Sequence, residues 1–179
     1  MRPIRYLKGT RDLGLKLSLS EDGKVELSAY IDASLGAHSD GKGQTGLFNT
    51  LGKGSVLSKS SKQKINAKSA HETEIIGLSD YVNKIVWCRL LIAEQGHDIG
   101  PAVIYQDNKG VLEVCKRGQN GNSRTKHIAL RYNLVRDLVE RGEVVLKYCP
   151  SKLMVADILT KPLQGKLFRD LRDILLGYK

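Results

Sequence analysis

Four acidic residues stand where carboxylates could do chemistry. Asp32 follows a run in which Val25, Leu27, Ala29 and Ile31 alternate with polar residues, and Asp107 follows the apolar run Ala102-Val103-Ile104-Tyr105 and Gln106. Both runs read as strands, and in open α/β sheets the carboxyl ends of strands are where sites assemble. A strand-terminal Asp also serves commonly to cap the next turn, so each alone says little. Asp157 lies four residues after Leu153 and three after Met154, on the apolar stripe of a short helix. An unpaired carboxylate there costs several kcal/mol to bury, so it needs a cation, a metal or an exposed edge. An ordinary pair with Lys161 at i+4 fits the spacing equally well. Glu72 and Glu74 open a long helix, where first-turn acids complement the helix dipole. Two apart, they point in different directions; Glu74, on the stripe with Ile75 and Leu78, is the choice, and Glu72 the fallback.

Such a set suits phosphodiester hydrolysis. Two divalent ions about 4 Å apart can activate a water and stabilise the leaving oxygen, provided carboxylates fix them. Mg²⁺ and Mn²⁺ prefer oxygen ligands, and because Mg²⁺ retains several waters, three or four acids suffice.

The elements that must position these acids follow from periodicity. Leu15, Leu17 and Leu19 alternate as in a strand, and residues 21–23 form a turn before the strand that runs into Asp32. Two short strands, 46–51 and 55–58, flank Gly52-Lys53-Gly54. From Ala70, residues Ile75, Leu78, Val82, Ile85, Val86 and Leu90 recur at helical spacing until Gly96. The strand ending at Asp107 leads to Asn108, which can cap a helix through residue 116. A helix over 126–141, a strand over 143–149, a helix between Pro150 and Pro162, and a basic helix over 166–176 complete the pattern. Strands first, then strand and helix alternating, predict an α/β fold with a mixed sheet. The helix from Ala70 can serve as the crossover that lays the Asp107 strand parallel to the Asp32 strand.

Composition points the same way. The chain carries 29 Lys and Arg against 19 Asp and Glu, a net charge of +10, which favours a polyanionic partner such as nucleic acid. Cys88, Cys115 and Cys149 form no CxxC pair and read as small buried hydrophobes in a reducing compartment. No apolar run is long enough to span a bilayer. His38, His71 and His97 lack partners at ligand spacing and are expected at the surface. Residues 117–131 gather Arg117, Arg124, Lys126, His127 and Arg131 around a Gly/Asn loop, a pattern that can clasp phosphates.

Six blocks in order resemble the ribonuclease H domain at the C-terminal end of the Pol polyprotein of copia-type LTR retrotransposons. Arg5-Tyr6-Leu7-Lys8-Gly9-Thr10 is similar to the segment that ends the reverse transcriptase. Tyr30-Ile31-Asp32-Ala33, His71-Glu72-Thr73-Glu74 and Tyr105-Gln106-Asp107-Asn108 resemble the blocks carrying the first three acids. Ser123-Arg124-Thr125-Lys126-His127-Ile128 and Ala156-Asp157-Ile158-Leu159-Thr160-Lys161-Pro162-Leu163 resemble the last two, the latter with the fourth acid. The chain departs from the family's D-A-D-W at Asp32-Ala33-Ser34-Leu35, with one carboxylate fewer, and from its Ser-rich lead at Lys68-Ser69-Ala70-His71.

The resemblance implies a five-stranded mixed sheet flanked by helices and endonucleolytic cleavage of the RNA strand in RNA–DNA hybrids. It implies two Mg²⁺ or Mn²⁺ ions on Asp32, Glu74, Asp107 and Asp157, with Asp32 and Asp107 shared. It further implies an end of reverse transcriptase or connection segment over 1–22, a ribonuclease H domain over 23–163 and a basic helix over 164–179. The expected partners are the hybrid and the reverse transcriptase of the same polyprotein, with no membrane, in the cytoplasm within virus-like particles. Arg124, Lys126, His127 and Arg131 are expected to contact nucleic acid. The alternative is a non-catalytic hybrid-binding or connection module.

Overall fold

In the computed structural model, residues 2–20, 23–117 and 126–179 are described, with the backbone alone for Arg2, Arg117, Lys126 and His127. Arg2–Gly9 forms a short basic helix, α1, and Ser18–Leu19 a minimal strand, β1. The longer strand expected from Leu15, Leu17 and Leu19 does not form, and these side chains are 52%, 57% and 43% exposed. Their alternation has no sheet face to cover. The Lys16 amide instead donates to the Leu176 carbonyl at 2.9 Å, near the other end of the chain, a partner that local pattern cannot reveal.

Ser28–Ser34 (β2), Gln44–Thr50 (β3), Gly52–Lys53 (β4) and Leu57–Lys62 (β5) follow, then the long helix α2 (Ala70–Glu94). After it come Ala102–Gln106 (β6), Lys109–Arg117 (α3), Lys126–Glu140 (α4), Val144–Tyr148 (β7) and Gly165–Leu175 (α5). β1 pairs only with β4; the main sheet has five strands in the order β5-β3-β2-β6-β7. The β5-β3-β2 side is antiparallel, whereas β6 lies parallel to both β2 and β7. This is the expected mixed α/β sheet, with α2 as the crossover between β2 and β6.

Alternation decides which face is covered. Leu27, Ala29 and Ile31 of one parity are fully buried with Ile75, Leu78, Val82 and Ile85 of α2 in the main core. Tyr30, of the other parity, stacks on Tyr105 with ring centroids 4.6 Å apart. These two rings pack on a second, small cluster of Cys149, Met154 and Ala156. Asp32 shares the parity of Tyr30, so it faces the side where the segment carrying Asp157 returns. All three cysteines are buried and free, as expected. No helix among the described residues is long and apolar enough to cross a membrane.

Where a helix was expected between Pro150 and Pro162, two 3₁₀ turns form instead, Ser151–Leu153 and Val155–Leu159. Met154, extended at φ −73°, ψ 94° and almost fully buried, breaks the run. The second turn lies against β3 at Gly46, the residue paired with Asp32 across the β2-β3 ladder. A Cβ at Gly46 would stand 2.7 Å from the Leu159 Cβ and 2.9 Å from the Ala156 carbonyl oxygen. At Gly77 a Cβ would stand 2.9 Å from the Thr45 side chain, so α2 too approaches the sheet through a missing methyl. Gly46→Ala is expected to cost about 1–3 kcal/mol through overpacking, measured by chemical denaturation; an unchanged midpoint would mean that the turn yields without cost.

Candidate metal centre

The two 3₁₀ turns, the end of β2, the start of α2 and the exit of β6 meet at one place. Asp32, Glu74 and Asp107 each offer a carboxylate oxygen there, and these oxygens all lie within 4.8 Å of one another. Donors on opposite sides of one Mg²⁺ at about 2.1 Å would stand roughly 4.2 Å apart, so small side-chain adjustments suffice to close on an ion. The donor set is entirely hard oxygen, which suits Mg²⁺ or Mn²⁺ and is a poor match for a softer metal.

Each acid is held by a different device. Glu74 is 6% exposed; it accepts a hydrogen bond from the Gln106 side-chain amide at 3.2 Å and another from the Ala33 backbone. Glu72, two residues earlier, does the work of a helix start. Its carboxylate accepts from the Lys68 amide at 2.8 Å while its own amide donates to the Ser69 hydroxyl, close to a capping box. Asp32, 2% exposed, accepts from the Thr160 hydroxyl. Asp107 accepts from the Ser151 hydroxyl at 2.8 Å. Asp157 is bound by the Lys161 ammonium at 2.7 Å, and the same ammonium lies 3.6 Å from Asp32. The i+4 pair of Asp157 with Lys161 therefore forms, and Asp157 is not among the three acids whose oxygens converge within 4.8 Å.

Gln106, Thr160 and Ser151 were not anticipated. Gln106 is fully buried, and its side-chain oxygen also accepts from the amides of Asp107 and Asn108 at 2.8 and 3.0 Å. The signal was present: Gln106 shares the parity of Ala102 and Ile104, so a polar side chain was bound to face the core. Asn108 caps α3 as expected, accepting from the Val111 amide at 3.2 Å.

The proposed nucleic-acid contacts fare unevenly. Arg124 lies outside the described residues, and Lys126 and His127 open α4 with only their backbone described. The Arg131 guanidinium donates to Ser79 and pairs with Asp80, both at 2.5 Å, tying α4 to α2. His71, expected at the surface, is half-buried and hydrogen-bonded to the Tyr132 hydroxyl at 2.6 Å, because α4 packs over the start of α2.

The charges explain these arrangements. Burial, then the nearby charge of Asp32, pushes the Glu74 carboxyl up to about 8, against the pull of the Gln106 hydrogen bond. Burial also raises Asp32, which Thr160 and Lys161 draw back down while Asp157 and Asp107 push it up. Burial pulls the Lys161 ammonium down, but its bond to Asp157 and the charge of Asp32 hold it above the usual lysine range.

No protein-family model matches the chain. The retrovirus-related Pol polyproteins from transposons RE2 and RE1 of Arabidopsis thaliana are 33% and 32% identical to it over 171 residues. That from transposon TNT 1-94 of Nicotiana tabacum is 27% identical over 173 residues. These alignments take in 94–96% of this chain but only 12–13% of the relatives' own length. Among solved structures, the foamy viral protease-reverse transcriptase in complex with RNA/DNA hybrid matches with a TM-score of 0.57 at 14% identity, over 81% of this chain and 21% of that one. LC11 ribonuclease H1, isolated from compost, matches with a TM-score of 0.54 at 13% identity, over 75% of this chain and 92% of that one. Ribonuclease H1 of Halobacterium salinarum gives 0.52 at 16% identity, over 75% and 94%. The fold is that of ribonuclease H, and over nearly all its length the chain is similar to a segment of retrovirus-related Pol polyproteins from transposons.

The elevated Glu74 carboxyl has a consequence for stability. With a folded value of about 8 against an ordinary 4.5, the folded state holds the extra proton between those limits. Its contribution is fully present below the ordinary value and is lost as pH rises through about 8. The metal-free chain is expected to melt at progressively lower temperature across that window, and Glu74→Gln to remove the larger part of the fall. Equal slopes in thermal melts of parent and variant would overturn this.

Proposed function

We propose that this ribonuclease H-fold domain is a metal-dependent endonuclease cutting the RNA strand of RNA–DNA hybrids, beside the reverse transcriptase of its own polyprotein. The observation that carries the reading is the convergence of Asp32, Glu74 and Asp107 within 4.8 Å, on a chain whose net charge is +10. Carboxylates this close, two of the three buried, repel one another, and a divalent cation is an occupant that would offset them. The likeness to a solved complex with RNA/DNA hybrid supports the substrate class, and the relationship to Pol polyproteins supports the setting.

Asp32 and Asp107 would be shared between two ions, with Glu74 completing one site and Asp157 the other. Bound there, Mg²⁺ or Mn²⁺ lowers the pKa of a water and offsets charge on the leaving oxygen. The chain's own groups fix the ligands. Gln106 and the Ala33 amide aim Glu74, Thr160 aims Asp32 and Ser151 aims Asp107. Exposure gives the direction of approach: Glu74 and Asp32 are buried, whereas Asp107 and Asp157 lie at the half-exposed rim. A nucleic-acid backbone therefore reaches the site over Asp107 and Asp157. Arg124, Lys126 and His127 are the proposed phosphate contacts, while a phosphate contact from Arg131 would compete with its pair to Asp80.

A labelled RNA–DNA hybrid incubated with the purified chain and Mg²⁺ tests the reading. The RNA strand should be cut, and Asp107→Asn should slow cutting by roughly 100-fold or more. Binding without cutting, by a folded parent chain with Mg²⁺ present, would instead identify a non-catalytic hybrid-binding module. Hybrid affinity should also fall steeply as salt rises, because phosphate contacts release counterions. Affinity independent of salt would remove the role assigned to the basic surface.

A further inference from the structure

Charge is distributed unevenly over the acid cluster. Neither Glu74 nor Asp107 has a Lys or Arg partner among the described residues, whereas the Asp32–Asp157 side carries one of its own. The Lys161 ammonium stands 2.7 Å from Asp157 and 3.6 Å from Asp32, bridging the two carboxylates. Its backbone is fixed for this, since the Lys161 amide donates to the Asp157 carbonyl at 2.9 Å and Pro162 follows. With its side chain 40% exposed, Lys161 reaches in from the rim while Asp32, at 2%, lies beneath. An ammonium spanning two carboxylates stands where a second cation would make the same two contacts.

We infer that Lys161 is a tethered cation that fills the Asp32–Asp157 side of the centre until a divalent ion displaces it, so that the two metal positions load in order. The inference rests on the metal-centre reading proposed above. The Asp32–Glu74–Asp107 side, where Lys161 contacts one acid of three rather than both of two, loads first. On the other side Lys161 must swing out to solvent, which its exposure and flexible stem allow. The arrangement gives the neighbouring Asp32 and Asp157 carboxylates a counter-charge in the metal-free fold, at the expense of affinity for the second ion.

The test is a Mn²⁺ titration of the whole chain, with bound ions counted by electron paramagnetic resonance and affinities read by calorimetry. The parent should bind two ions of unequal affinity. Lys161→Met should tighten the weaker step by roughly tenfold, the scale of one partly screened charge contact, and leave the tighter step almost unchanged. Lys161→Arg, which keeps the charge, should retain the parent's two-step titration. Metal-free Lys161→Met should melt below the parent, and saturating Mn²⁺ should abolish the difference. A purely structural lysine would leave that difference in place. Should the Met variant need metal to fold, Lys161→Gln carries the same titration with a polar end and no charge. A tighter first step with an unchanged or weakened second step in the uncharged variants overturns the inference and leaves the metal centre standing. A parent that binds no Mn²⁺ overturns the metal centre itself.

Discussion

Carboxylates taken out of water, and set beside one another there, are the constraint that the rest of the molecule serves. Glu74 shows its size: burial and the neighbouring Asp32 push its carboxyl up to about 8, a shift worth several kcal/mol between its charged and neutral forms. Nothing in the hydrophobic core requires an acid at that place; a Leu on the same stripe would pack without that cost. The surrounding polar groups answer the repulsion one by one. Gln106 and the Ala33 amide donate to Glu74, Thr160 to Asp32, Ser151 to Asp107, and Lys161 to Asp157. Each donor comes from a segment other than that of the acid it serves, save Lys161, so the acids are held only when the whole fold is assembled.

Sheet topology makes that assembly possible. The parallel pairing of β2 with β6 sets the ends that carry Asp32 and Asp107 side by side, and α2, the crossover between them, delivers Glu74 at its own start. One connection therefore both permits the parallel pairing and carries the third acid. The antiparallel neighbour β3 contributes no acid. It contributes absence, at Gly46, where the turn bearing Asp157 rests on the backbone directly opposite Asp32. Two missing side chains, at Gly46 and Gly77, thus decide how close the fourth acid and the second strand-covering layer can come.

What could be read from the residue order, and what could not, divides along the reach of the interactions. The apolar stripe of α2, the buried run of β6 and the capping role of Asn108 are local patterns, and the elements they predict formed. The mixed sheet follows from the alternation of strands and helices, whereas its count of five strands is implied by the ordered blocks. The leucines at 15, 17 and 19 do not build a longer strand, and between them the Lys16 amide is satisfied by the end of α5, more than 150 residues away by sequence number. The helix expected around Asp157 became two 3₁₀ turns because Met154 is drawn into the small core under Tyr30 and Tyr105, a tertiary demand that overrides propensity. The competing glutamates at 72 and 74 were separable in principle. Ser69 three residues before Glu72 is a capping spacing, which leaves Glu74 free for other duty.

The basic surface and the acidic centre are coupled rather than opposed. A polyanion approaching four carboxylates meets repulsion at short range, and only the net +10 of the whole chain draws it in at long range. Cations committed to structure do not serve this end. Arg131 is occupied by Asp80, and Arg136 and Arg141 pair with Glu140 and Asp137 along their own helix. In the proposed reading, Arg124, Lys126 and His127 are the residues assigned to phosphate contact. Lys161 stands between the two regimes. It pairs with Asp157 and Asp32 at the rim of the acid cluster, and in the proposed loading order its displacement would turn that charge toward the side over which a phosphate backbone would pass.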